Sequence, residues 1–457
     1  MSFQGKTVVV IGMGKSGTAA VRLLVRRGAT VVGYDESPQA VAPTTDARFV
    51  LNKGPLPPEF FRGADLVIVS PGVPLSRPEF ARAREAGVPV EGEIELAFRT
   101  MPEGAGPILA VTGTNGKSTT TALLGELVRQ EGLRVFVGGN LGVPFTLAYE
   151  DPKEPPYQLH VIELSSFQLE GIEKARFDGA AILNLTPDHL DRYANHQDYG
   201  EAKARIFLNQ RPGGFAVVNA DDATVMALSS RAKVPRYAFT RHAERAVEAV
   251  AGLAVGDARG FHFTFGEEES FTVTSRALRG AHNLENAMAA TLMARLSGVS
   301  KAAIQRGLDR FPGLPHRLEW VRELGGVEWL NDSKATNVDS SVVALKALEG
   351  RVWLIAGGKG KGAPYAPLVE AARGKVLGVL TIGKDAPAVG EAFRSVCDVF
   401  DCGTLSVAVA TARKLATQGD TVLLSPACAS YDQFQHFEHR GDSFKSLVHA
   451  LALEQAR

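Results

Sequence analysis

Short apolar runs, rich in β-branched residues, alternate with stretches of helical periodicity along the chain. The apolar runs predict strands at residues 8–11, 31–34, 66–69, 108–111, 161–164, 181–184, 216–219, 352–356, 376–382 and 421–425. A helix is predicted at residues 286–296, and a charged, β-like stretch lies between about residues 247 and 274. Strands that alternate with helices favour parallel sheets with crossover connections, so the predicted fold class is α/β.

Two stretches rich in proline and glycine interrupt this alternation, at residues 102–107 and 311–315. A length of 457 residues corresponds to about three domains. We therefore predict domain boundaries that give residues 1–98, 99–312 and 313–457.

Charge and cysteine content exclude several classes of protein. The 50 basic and 50 acidic side chains balance, so no electrostatic footprint for nucleic acid or an anionic membrane is expected. Cys397, Cys402 and Cys428 suggest neither a disulfide framework nor a zinc site. The first residues lack the pattern of a secretory leader, and no apolar run reaches the roughly 18 residues of a spanning helix. We expect a cytoplasmic monomer with no nucleic-acid or membrane partner.

Gly12, Gly14 and Gly17 form a G-x-G-x-x-G pattern between a predicted strand and a predicted helix, and Asp35 ends the next strand. Such glycines let backbone N–H groups approach a pyrophosphate at a helix N-terminus. The pattern is compatible with NAD, with another diphosphate such as a UDP-sugar, or with a tight turn that binds nothing. The glycines alone do not distinguish these alternatives.

A second glycine loop, GTNGKST at residues 113–119, also connects a strand to a helix. In a phosphate loop, backbone N–H groups and Lys117 would hold the phosphates, and the hydroxyl of Ser118 would reach Mg²⁺. The loop departs from the general P-loop pattern because Val111 stands where the first glycine would be. The strand and helix around it favour a phosphate loop over a glycine turn with a solvated lysine.

Three further residues are candidates for metal chemistry. Glu163 ends a predicted strand, where a carboxylate can hold Mg²⁺ opposite bound phosphates. His189, between Asp188 and Asp191, follows another strand. Lys203 lies on a helical pattern, and its ammonium cannot bind a cation unless the lysine is modified. The structural alternatives are a solvated carboxylate, a packed histidine and a surface lysine.

A set of motifs that covers nearly the whole chain resembles the Mur ligases. The motifs are GTNGKST, ELSSFQLE, NLTPDHLDRY, AHNLENA, PHRLE, NDSKATN and SPACASYDQF. The resemblance implies a UDP-binding Rossmann-like N-terminal domain, a central P-loop ATPase domain and a Rossmann-like C-terminal domain. It also implies an ATP-dependent ligase of peptidoglycan precursor synthesis that forms an amide through an acyl phosphate. Within the family, the SPACASYDQF segment favours addition of D-glutamate to UDP-N-acetylmuramoyl-L-alanine.

The same resemblance assigns the first glycine loop to a UDP-sugar rather than to NAD. The implied UDP-sugar contacts are Lys15, Ser16, Asp35, Glu36, Ser37, Ser70, Pro71 and Gly72. Asn140 and His189 are expected at the sugar and lactoyl-alanine end. The implied D-glutamate pocket consists of Thr336, Lys361, Ser430 and Phe437, with Lys359 as an alternative to Lys361.

An ATP site with two Mg²⁺ ions is also implied. Its expected ATP-binding residues are Gly113, Thr114, Asn115, Gly116, Lys117, Ser118, Thr119, Asn283, Asn286, Arg317 and Asp332. The expected metal positions are Ser118, Glu163, His189 and Lys203, with Lys203 carbamylated by CO₂, which turns a cation into a carboxylate. The expected catalytic residues are Lys117, Glu163, His189 and Lys203.

Three other functions remain as alternatives. A nicotinamide-dependent dehydrogenase would use the first glycine loop but leaves the second loop, Glu163 and the NDSKATN segment unexplained. A nucleotide switch would use the phosphate loop without ligation. A sister ligase would add L-alanine, a diamino acid, or glutamate to folate, although the D-N-P-[RN] signature of diamino-acid addition is missing from the sequence.

Overall fold

Three sheets, each mostly parallel, carry the described part of the chain. The computed structural model describes residues 2–189, 192–242, 250–256, 260–264 and 268–452. Strands and helices alternate within each sheet region, which confirms the predicted α/β class.

The first sheet is parallel throughout, with strand order β3-β2-β1-β4-β5. Its elements are β1 (Thr7–Ile11), α1 (Lys15–Arg26), β2 (Thr30–Asp35), β3 (Phe49–Lys53), β4 (Leu66–Val69), α2 (Pro78–Glu85), β5 (Val90–Gly92) and α3 (Glu93–Thr100). Alternate residues of β1 pack into different cores: Val8 and Val10 on one face, Val9 and Ile11 on the other. The strand order reverses between β1 and β4, and such a reversal opens a ligand crevice at the carboxyl ends of the two strands.

The central sheet has the order β14-β13-β12-β11-β10-β9-β6-β8-β7 in the described residues. Its strands are β6 (Ile108–Thr112), β7 (Val135–Gly139), β8 (Leu159–Glu163), β9 (Gly179–Ile182), β10 (Phe215–Asn219), β11 (Arg236–Thr240), β12 (Gly252–Gly256), β13 (Gly260–Thr264) and β14 (Glu268–Thr272). Its helices are α4 (Lys117–Gln130), α5 (Ser166–Glu170), α6 (His196–Ala204), α7 (Ala223–Ser229), α8 (Ala281–Leu296) and α9 (Lys301–Arg310). Short 3₁₀ helices lie at Phe145–Tyr149, Arg205–Phe207 and Arg276–Leu278. β13 and β14 are antiparallel to their neighbours, and the other pairs are parallel.

The third sheet has the order β15-β16-β20-β17-β18-β19, and only β15 pairs in the antiparallel sense there. Its strands are β15 (Glu319–Leu324), β16 (Val327–Asn331), β17 (Arg351–Gly357), β18 (Val376–Ile382), β19 (Asp398–Gly403) and β20 (Asp420–Leu424). Its helices are α10 (Val338–Ala347), α11 (Ala366–Ala372), α12 (Ala386–Phe393), α13 (Leu405–Leu415) and α14 (Phe437–Ala450). Both faces of the sheet are apolar, because Ile355 packs into one core and Leu354 into the other.

By their contacts, the residues group into two units. One runs to Val273 and includes Ala281–Asp309, so it holds the first and central sheets; the other comprises Thr274–Gly280 and the chain from Arg310 onward. The boundaries predicted at residues 98 and 312 remain a prediction. Within the described residues, no helix combines the length and the apolar character needed to cross a membrane.

The sequence pattern missed β3, β5, β7, β11, β15, β16 and β19, and several of these strands are short, polar or rich in glycine. β3 reads FVLNK, β5 has three residues, and β7 ends in two glycines. The strand predicted at residues 181–184 begins earlier, at Gly179, where a Cβ would overlap the ring of Phe215. The β-like stretch contains β12, β13 and β14, whereas residues 247–249, 257–259 and 265–267 of that stretch lie outside the described residues.

A buried carboxyl group joins the first sheet region to the central one. Glu93, the first residue of α3, is fully buried, and its Oε1 accepts hydrogen bonds from the Thr146 N–H at 2.6 Å and from the Thr146 hydroxyl at 2.8 Å. Burial raises the pKa of Glu93 from 4.5 to about 7, although hydrogen bonds from Thr146 and Phe145 oppose the shift. The folded protein therefore keeps a proton that the unfolded chain releases at lower pH.

We expect Glu93→Gln to gain stability relative to the wild type as the pH rises from 4.5 to about 7. Within this window the raised folded-state pKa lowers the wild-type free energy of unfolding by up to about 1.4 kcal/mol per pH unit, and glutamine does not titrate. Thermal unfolding midpoints of both proteins, measured at about pH 5 and about pH 8, test this expectation. The exposed Glu103, changed to glutamine, is the control. A midpoint difference that is the same at both pH values would contradict the assignment.

Candidate active site

The second glycine loop lies at the carboxyl end of the buried central strand β6, and α4 begins at Lys117. Gly113 has φ +152° and Gly116 has φ +82°, conformations that L side chains rarely adopt. A Cβ at Gly116 would also overlap Oδ1 of Asn286. The loop therefore needs glycine at this position for two separate reasons, and it presents the N-terminus of α4 as an anion site.

Lys117 folds back over this loop. Its Nζ donates to the carbonyl oxygens of Gly113 at 2.9 Å and Thr114 at 2.8 Å. The next residues, Ser118 and Thr119, lie half-buried in the first turn of α4. An ammonium in this position can turn from the loop carbonyls to a phosphate without any movement of the helix.

Contacts from the neighbouring strand end hold the loop in place. The Asn115 N–H donates to Oδ1 of Asn184 at 2.8 Å, and the Thr114 hydroxyl donates to the Thr186 carbonyl at 3.2 Å. Asn184 and Thr186 precede the predicted Asp188–His189 cluster, so the loop and the cluster belong to one assembly.

Helix α8 brings the two predicted asparagines to the loop. Asn286 accepts from the Thr120 hydroxyl at 3.2 Å and donates from Nδ2 to Oδ1 of Asn283 at 3.2 Å. The structure thus places Asn286 against the phosphate loop and Asn283 beside Asn286, and their predicted contact with ATP stays a prediction.

Glu163 ends β8 and is buried, and its Oε1 accepts a 2.6 Å hydrogen bond from Nδ2 of Asn140. The Asn140 N–H also donates to the Glu163 carbonyl at 2.9 Å. The other carboxylate oxygen, Oε2, is buried and has no hydrogen-bond partner among the described residues. Directly after Glu163, Ser165 and Gln168 form a capping box that starts α5 and fixes where the strand ends.

Lys203 is buried on α6, and its Nζ lies 3.4 Å from the Thr112 hydroxyl and 4.6 Å from the centre of the Tyr199 ring. Burial lowers the pKa of Lys203 from 10.5 to about 7. The Lys117 ammonium lowers this pKa further, whereas Asp188 and Glu163 raise it. The Lys203 ammonium thus lies within electrostatic range of Lys117, Asp188 and Glu163.

His189 lies at the exposed side of the same cluster. It has a left-handed φ of +54°, which is uncommon for residues other than glycine. Its ring centre lies 4.9 Å from that of Phe167 and 6.0 Å from that of Tyr199. Among the described residues, no three His, Cys, Asp or Glu side chains converge as a ready-made metal site, and Asp191 lies outside them.

The first glycine loop lies at the crevice between β1 and β4. Asp35 accepts from the Met13 N–H at 2.5 Å and from the Ser37 N–H at 2.8 Å, and the Ser70 hydroxyl donates to the Gly12 carbonyl at 2.7 Å. These contacts tie the loop to both neighbouring strand ends. Lys15 and Ser16 form the first turn of α1, and Pro71 follows Ser70.

A cavity of about 260 Å³ adjoins this loop. Its lining includes the predicted Asp35, Glu36 and Gly72. It also includes Tyr34, Leu56 and Arg77, which the sequence analysis missed because they belong to no motif. The Arg77 guanidinium lies 2.8 Å from the Glu36 carboxylate, so a cation and an anion face the cavity together.

In the second unit, Asp332 follows β16 and is buried. Its carboxylate accepts from the Ser425 hydroxyl at 2.8 Å and the Leu318 N–H at 3.3 Å, and burial raises its pKa to about 7. Arg317 is exposed, and both of its neighbours, His316 and Leu318, have positive φ values. The predicted contacts of Arg317 and Asp332 with ATP remain predictions.

The predicted amino-acid pocket residues lie on loops and at the start of α14, and the buried Arg440 of α14 holds two of these loops. Arg440 donates to the carbonyl oxygens of Ser333 at 2.8 Å and Cys428 at 3.1 Å, and the Ser333 hydroxyl donates to the Phe437 carbonyl at 2.8 Å. Thr336 follows on the same loop as Ser333. Burial dominates the environment of Cys428 and raises the pKa of its thiol.

Ser430 is buried next to Ala429, whose backbone pairs with that of Lys359. Lys359 and Lys361 are both exposed. Either side chain can therefore reach outward from the same loop, and the choice between them stays open.

Three family models match separate parts of the chain. They are "Mur ligase MurD-like, N-terminal domain" at residues 6–92, "Mur ligase middle domain" at residues 111–294 and "Mur ligase, glutamate ligase domain" at residues 316–428. These segments contain the first glycine loop, the phosphate loop with Glu163 and Lys203, and the predicted amino-acid loops up to Cys428.

The chain is also similar to curated proteins over its full length. It is 58% identical to the UDP-N-acetylmuramoylalanine--D-glutamate ligase of Myxococcus xanthus over 99% of this chain and 100% of that protein. It is 49% identical to the ligase of the same name from Anaeromyxobacter dehalogenans over 99% of each chain.

Solved structures resemble it in fold at low identity. UDP-N-acetylmuramate-alanine ligase from Thermotoga maritima aligns with TM-score 0.57 and 18% identity, over 97% of this chain and 99% of the other. MurF from Acinetobacter baumannii aligns with TM-score 0.60 and 18% identity, over 97% of this chain and 91% of the other.

We expect Gly116→Ala to weaken ATP binding by at least about tenfold, which corresponds to about 1.4 kcal/mol. The added Cβ would displace Asn286 and would also strain a left-handed backbone. Gly132→Ala, just beyond the other end of α4, is the matched control, because Gly132 has φ +84° and nothing within 4 Å of its would-be Cβ. Calorimetric titration with ATP measures both variants. Equal losses in the two would mean that backbone strain, and not the contact with Asn286, explains the effect.

Proposed function

The chain belongs to the Mur ligase family, and from this membership we propose that it joins D-glutamate to UDP-N-acetylmuramoyl-L-alanine with cleavage of ATP. The observation that carries the proposal is the phosphate loop beside Glu163 and Lys203 in a chain 58% identical, end to end, to a ligase named for this reaction. The family assignment agrees with the motifs found in the sequence and with the three-domain α/β architecture that they predicted.

The chemistry of such a ligation requires two steps. The L-alanine carboxylate of the sugar nucleotide attacks the γ-phosphorus of ATP, which gives an acyl phosphate and ADP. The D-glutamate amine then attacks the acyl carbon, loses a proton and expels inorganic phosphate. In both steps the protein mainly positions the reactants and stabilises charge.

In this scheme the phosphate loop binds the ATP phosphates. The N–H groups at the start of α4 face the anion, and Lys117 exchanges its loop carbonyls for phosphate oxygens. Asn283 and Asn286 are proposed to bind on the adenine side, and Arg317 and Asp332 keep the ATP-binding roles that the family resemblance implies.

Mg²⁺ fits the donor set here if Lys203 is modified. Ser118 and Glu163 offer oxygen ligands, and Oε2 of Glu163 is buried without a hydrogen bond among the described residues. His189 and a carbamylated Lys203 would complete two ion positions. The ions would offset the phosphate charge and thereby allow a carboxylate nucleophile to approach.

Carbamylation of Lys203 is chemically reasonable in this environment. The amine is buried, lies beside the Lys117 charge, and has no carboxylate within ion-pair distance in the described part of the chain. Its nitrogen would attack CO₂ and release a proton, which converts a poorly solvated cation into an anion able to bind Mg²⁺.

The two remaining substrates are assigned to the other loops. The sugar nucleotide binds at the first glycine loop, with Lys15 and Ser16 at the diphosphate and the Arg77-lined cavity beside it. D-Glutamate binds between the loops that carry Thr336 and Ser430 and the start of α14 at Phe437, with Lys361 or Lys359 as its cationic partner. We place the reaction in the cytoplasm, where ATP is made, and the monomeric state stays a prediction.

Phosphate release from ATP tests the reaction directly. With UDP-N-acetylmuramoyl-L-alanine present, we expect release that requires D-glutamate and fails with L-glutamate, L-alanine or diaminopimelate. Release with another amino acid would assign the chain to a sister ligase. Phosphate release without any amino acid would favour a nucleotide switch. No phosphate release under any of these conditions would favour the dehydrogenase.

Replacement of Lys203 by alanine should abolish turnover, because a ligand and a buried charge are both lost. Added short carboxylic acids should restore part of the activity by supplying the missing carboxylate. The exposed Lys233→Ala is the control and should behave as the wild type. Labelled bicarbonate should give a carbamate ¹³C signal in the wild type that Lys203→Ala lacks. The carbamate assignment is wrong if no acid restores turnover and both proteins give the same spectrum.

A further inference from the structure

Helix α3 of the first sheet region carries two buried carboxylates that both hold loops of the central sheet region. Glu93 accepts from the backbone and the hydroxyl of Thr146. Glu95 accepts from three consecutive N–H groups, those of Glu173 at 3.0 Å, Lys174 at 3.0 Å and Ala175 at 2.9 Å. Both glutamates are almost completely buried.

The two loops follow the strand ends that carry Asn140 and Glu163. β7 leads to Asn140 and then to the 3₁₀ helix Phe145–Tyr149, which contains Thr146. β8 ends at Glu163 and leads through α5 to the N–H groups held by Glu95. Each partner of the 2.6 Å Asn140–Glu163 hydrogen bond is therefore followed by a segment anchored on α3.

Close backbone packing makes this junction stiff. The Gly92 N–H, just before α3, donates to the Gly171 carbonyl at 3.4 Å. A Cβ on Gly171 would lie 3.1 Å from the Cα of Gly92, so the two backbones touch with no side chain between them. Packing of this kind leaves little room for the loops to shift independently of α3.

The helix that starts at the first glycine loop holds the same segment. Arg27, just after α1, donates to the Tyr149 carbonyl at 3.0 Å, and Arg22 forms a 2.9 Å ion pair with Glu150. The segment after Asn140 is thus fixed from two helices, one of which has its N-terminus at the candidate diphosphate site.

A contact needed only for stability would not require these carboxylates. Buried carboxyl groups incur a desolvation cost, and packed apolar side chains often stabilise an interface at least as well. What the two carboxyl groups add is geometry, because Glu93 fixes the N–H and the hydroxyl of Thr146, and Glu95 fixes three backbone N–H groups, at defined distances and directions.

We propose that Glu93 and Glu95 are positioning residues for the Asn140–Glu163 pair, which they hold at a fixed place relative to the sugar-nucleotide site. The proposal rests on the proposed ligase function. Loss of either carboxylate lets a strand-end loop drift, and displacement of a catalytic group by about 1 Å lowers turnover by up to about 10²-fold.

The test compares Glu93→Ala and Glu95→Ala with Glu91→Ala. Glu91, on β5, is also buried and forms an ion pair with Arg99 of α3, but within the described residues it accepts no hydrogen bond from a central loop, so its removal weakens the fold without taking away such a bond. We expect the first two variants to lose at least about tenfold in kcat and to need several-fold more Mg²⁺, with the KM for D-glutamate nearly unchanged. Glu91→Ala should lower the unfolding midpoint and leave kcat and the Mg²⁺ requirement as in the wild type.

Glu93→Gln and Glu95→Gln keep an acceptor oxygen and should recover most of the turnover. These variants also test the proposal if an alanine variant fails to fold. Mn²⁺ binding in the presence of ADP, followed by electron paramagnetic resonance, gives a readout that does not need turnover. It should weaken in the two alanine variants and recover in the glutamine variants.

The proposal is overturned if Glu91→Ala reproduces the kinetic defect, or if Glu93→Ala and Glu95→Ala lose only stability. If an alanine variant does not fold, the matching glutamine variant decides. The proposal is then also overturned if that variant folds but shows the loss in kcat and in Mn²⁺ binding expected of the alanine variant. A wild-type protein that lacks D-glutamate-dependent phosphate release would refute the proposed function, and the Mn²⁺ titration would still decide the positioning role.

Discussion

The carboxyl ends of parallel strands meet at one edge of each sheet, and the candidate active site depends on this constraint. In the central sheet, β6, β8 and β9 are neighbours, so the phosphate loop, Glu163 and the segment that leads to His189 emerge side by side. In the first sheet, the same constraint brings the glycine loop after β1 to the loop after β4. Glycines at these strand ends allow backbone N–H groups and helix N-termini to face an anion.

Charge burial is the second organising feature of the site. Lys203 lies against an aromatic ring, and within the described residues Oε2 of Glu163 is buried without a hydrogen bond. Polar groups placed in this way lose solvation without full compensation, a state that is costly for stability. Such groups are common where a ligand supplies the missing partner, and this makes the cluster around Lys203 the centre of the proposed function.

The sequence predicted the parts of the site that depend on local pattern. The phosphate loop and Glu163 at a strand end follow from local pattern, whereas Asn283 and Asn286 on α8 were implied only by the family resemblance; the structure places Asn286 against the phosphate loop. The sequence could not reveal that Lys203 is buried. Its burial depends on how α6, which also carries Tyr199, packs against Thr112 of β6.

The glutamates of α3 and the cavity residue Arg77 escaped the sequence analysis for a different reason. An acidic residue in the first turn of a helix usually complements the helix dipole at the surface, so the pattern gave no sign that Glu93 faces another sheet region. Arg77 lies outside any motif and lines its cavity only because the loop after β4 folds back toward β2. Long-range packing of this kind does not show in the periodicity of the sequence.

The buried hydrogen bonds of α3 bear on how far the first sheet region is a module. Its strand order and its two cores are complete in themselves. Yet a fragment that ends in the proline- and glycine-rich stretch after α3 would carry two carboxyl groups without their hydrogen-bond donors. The rest of the chain would expose the backbone donors of the Thr146 and Glu173–Ala175 loops. The strands of the first sheet region pair only with one another, but the buried hydrogen bonds of α3 have their donors in the central region. A chimaera that takes this region from a relative would therefore have to take the partner loops as well.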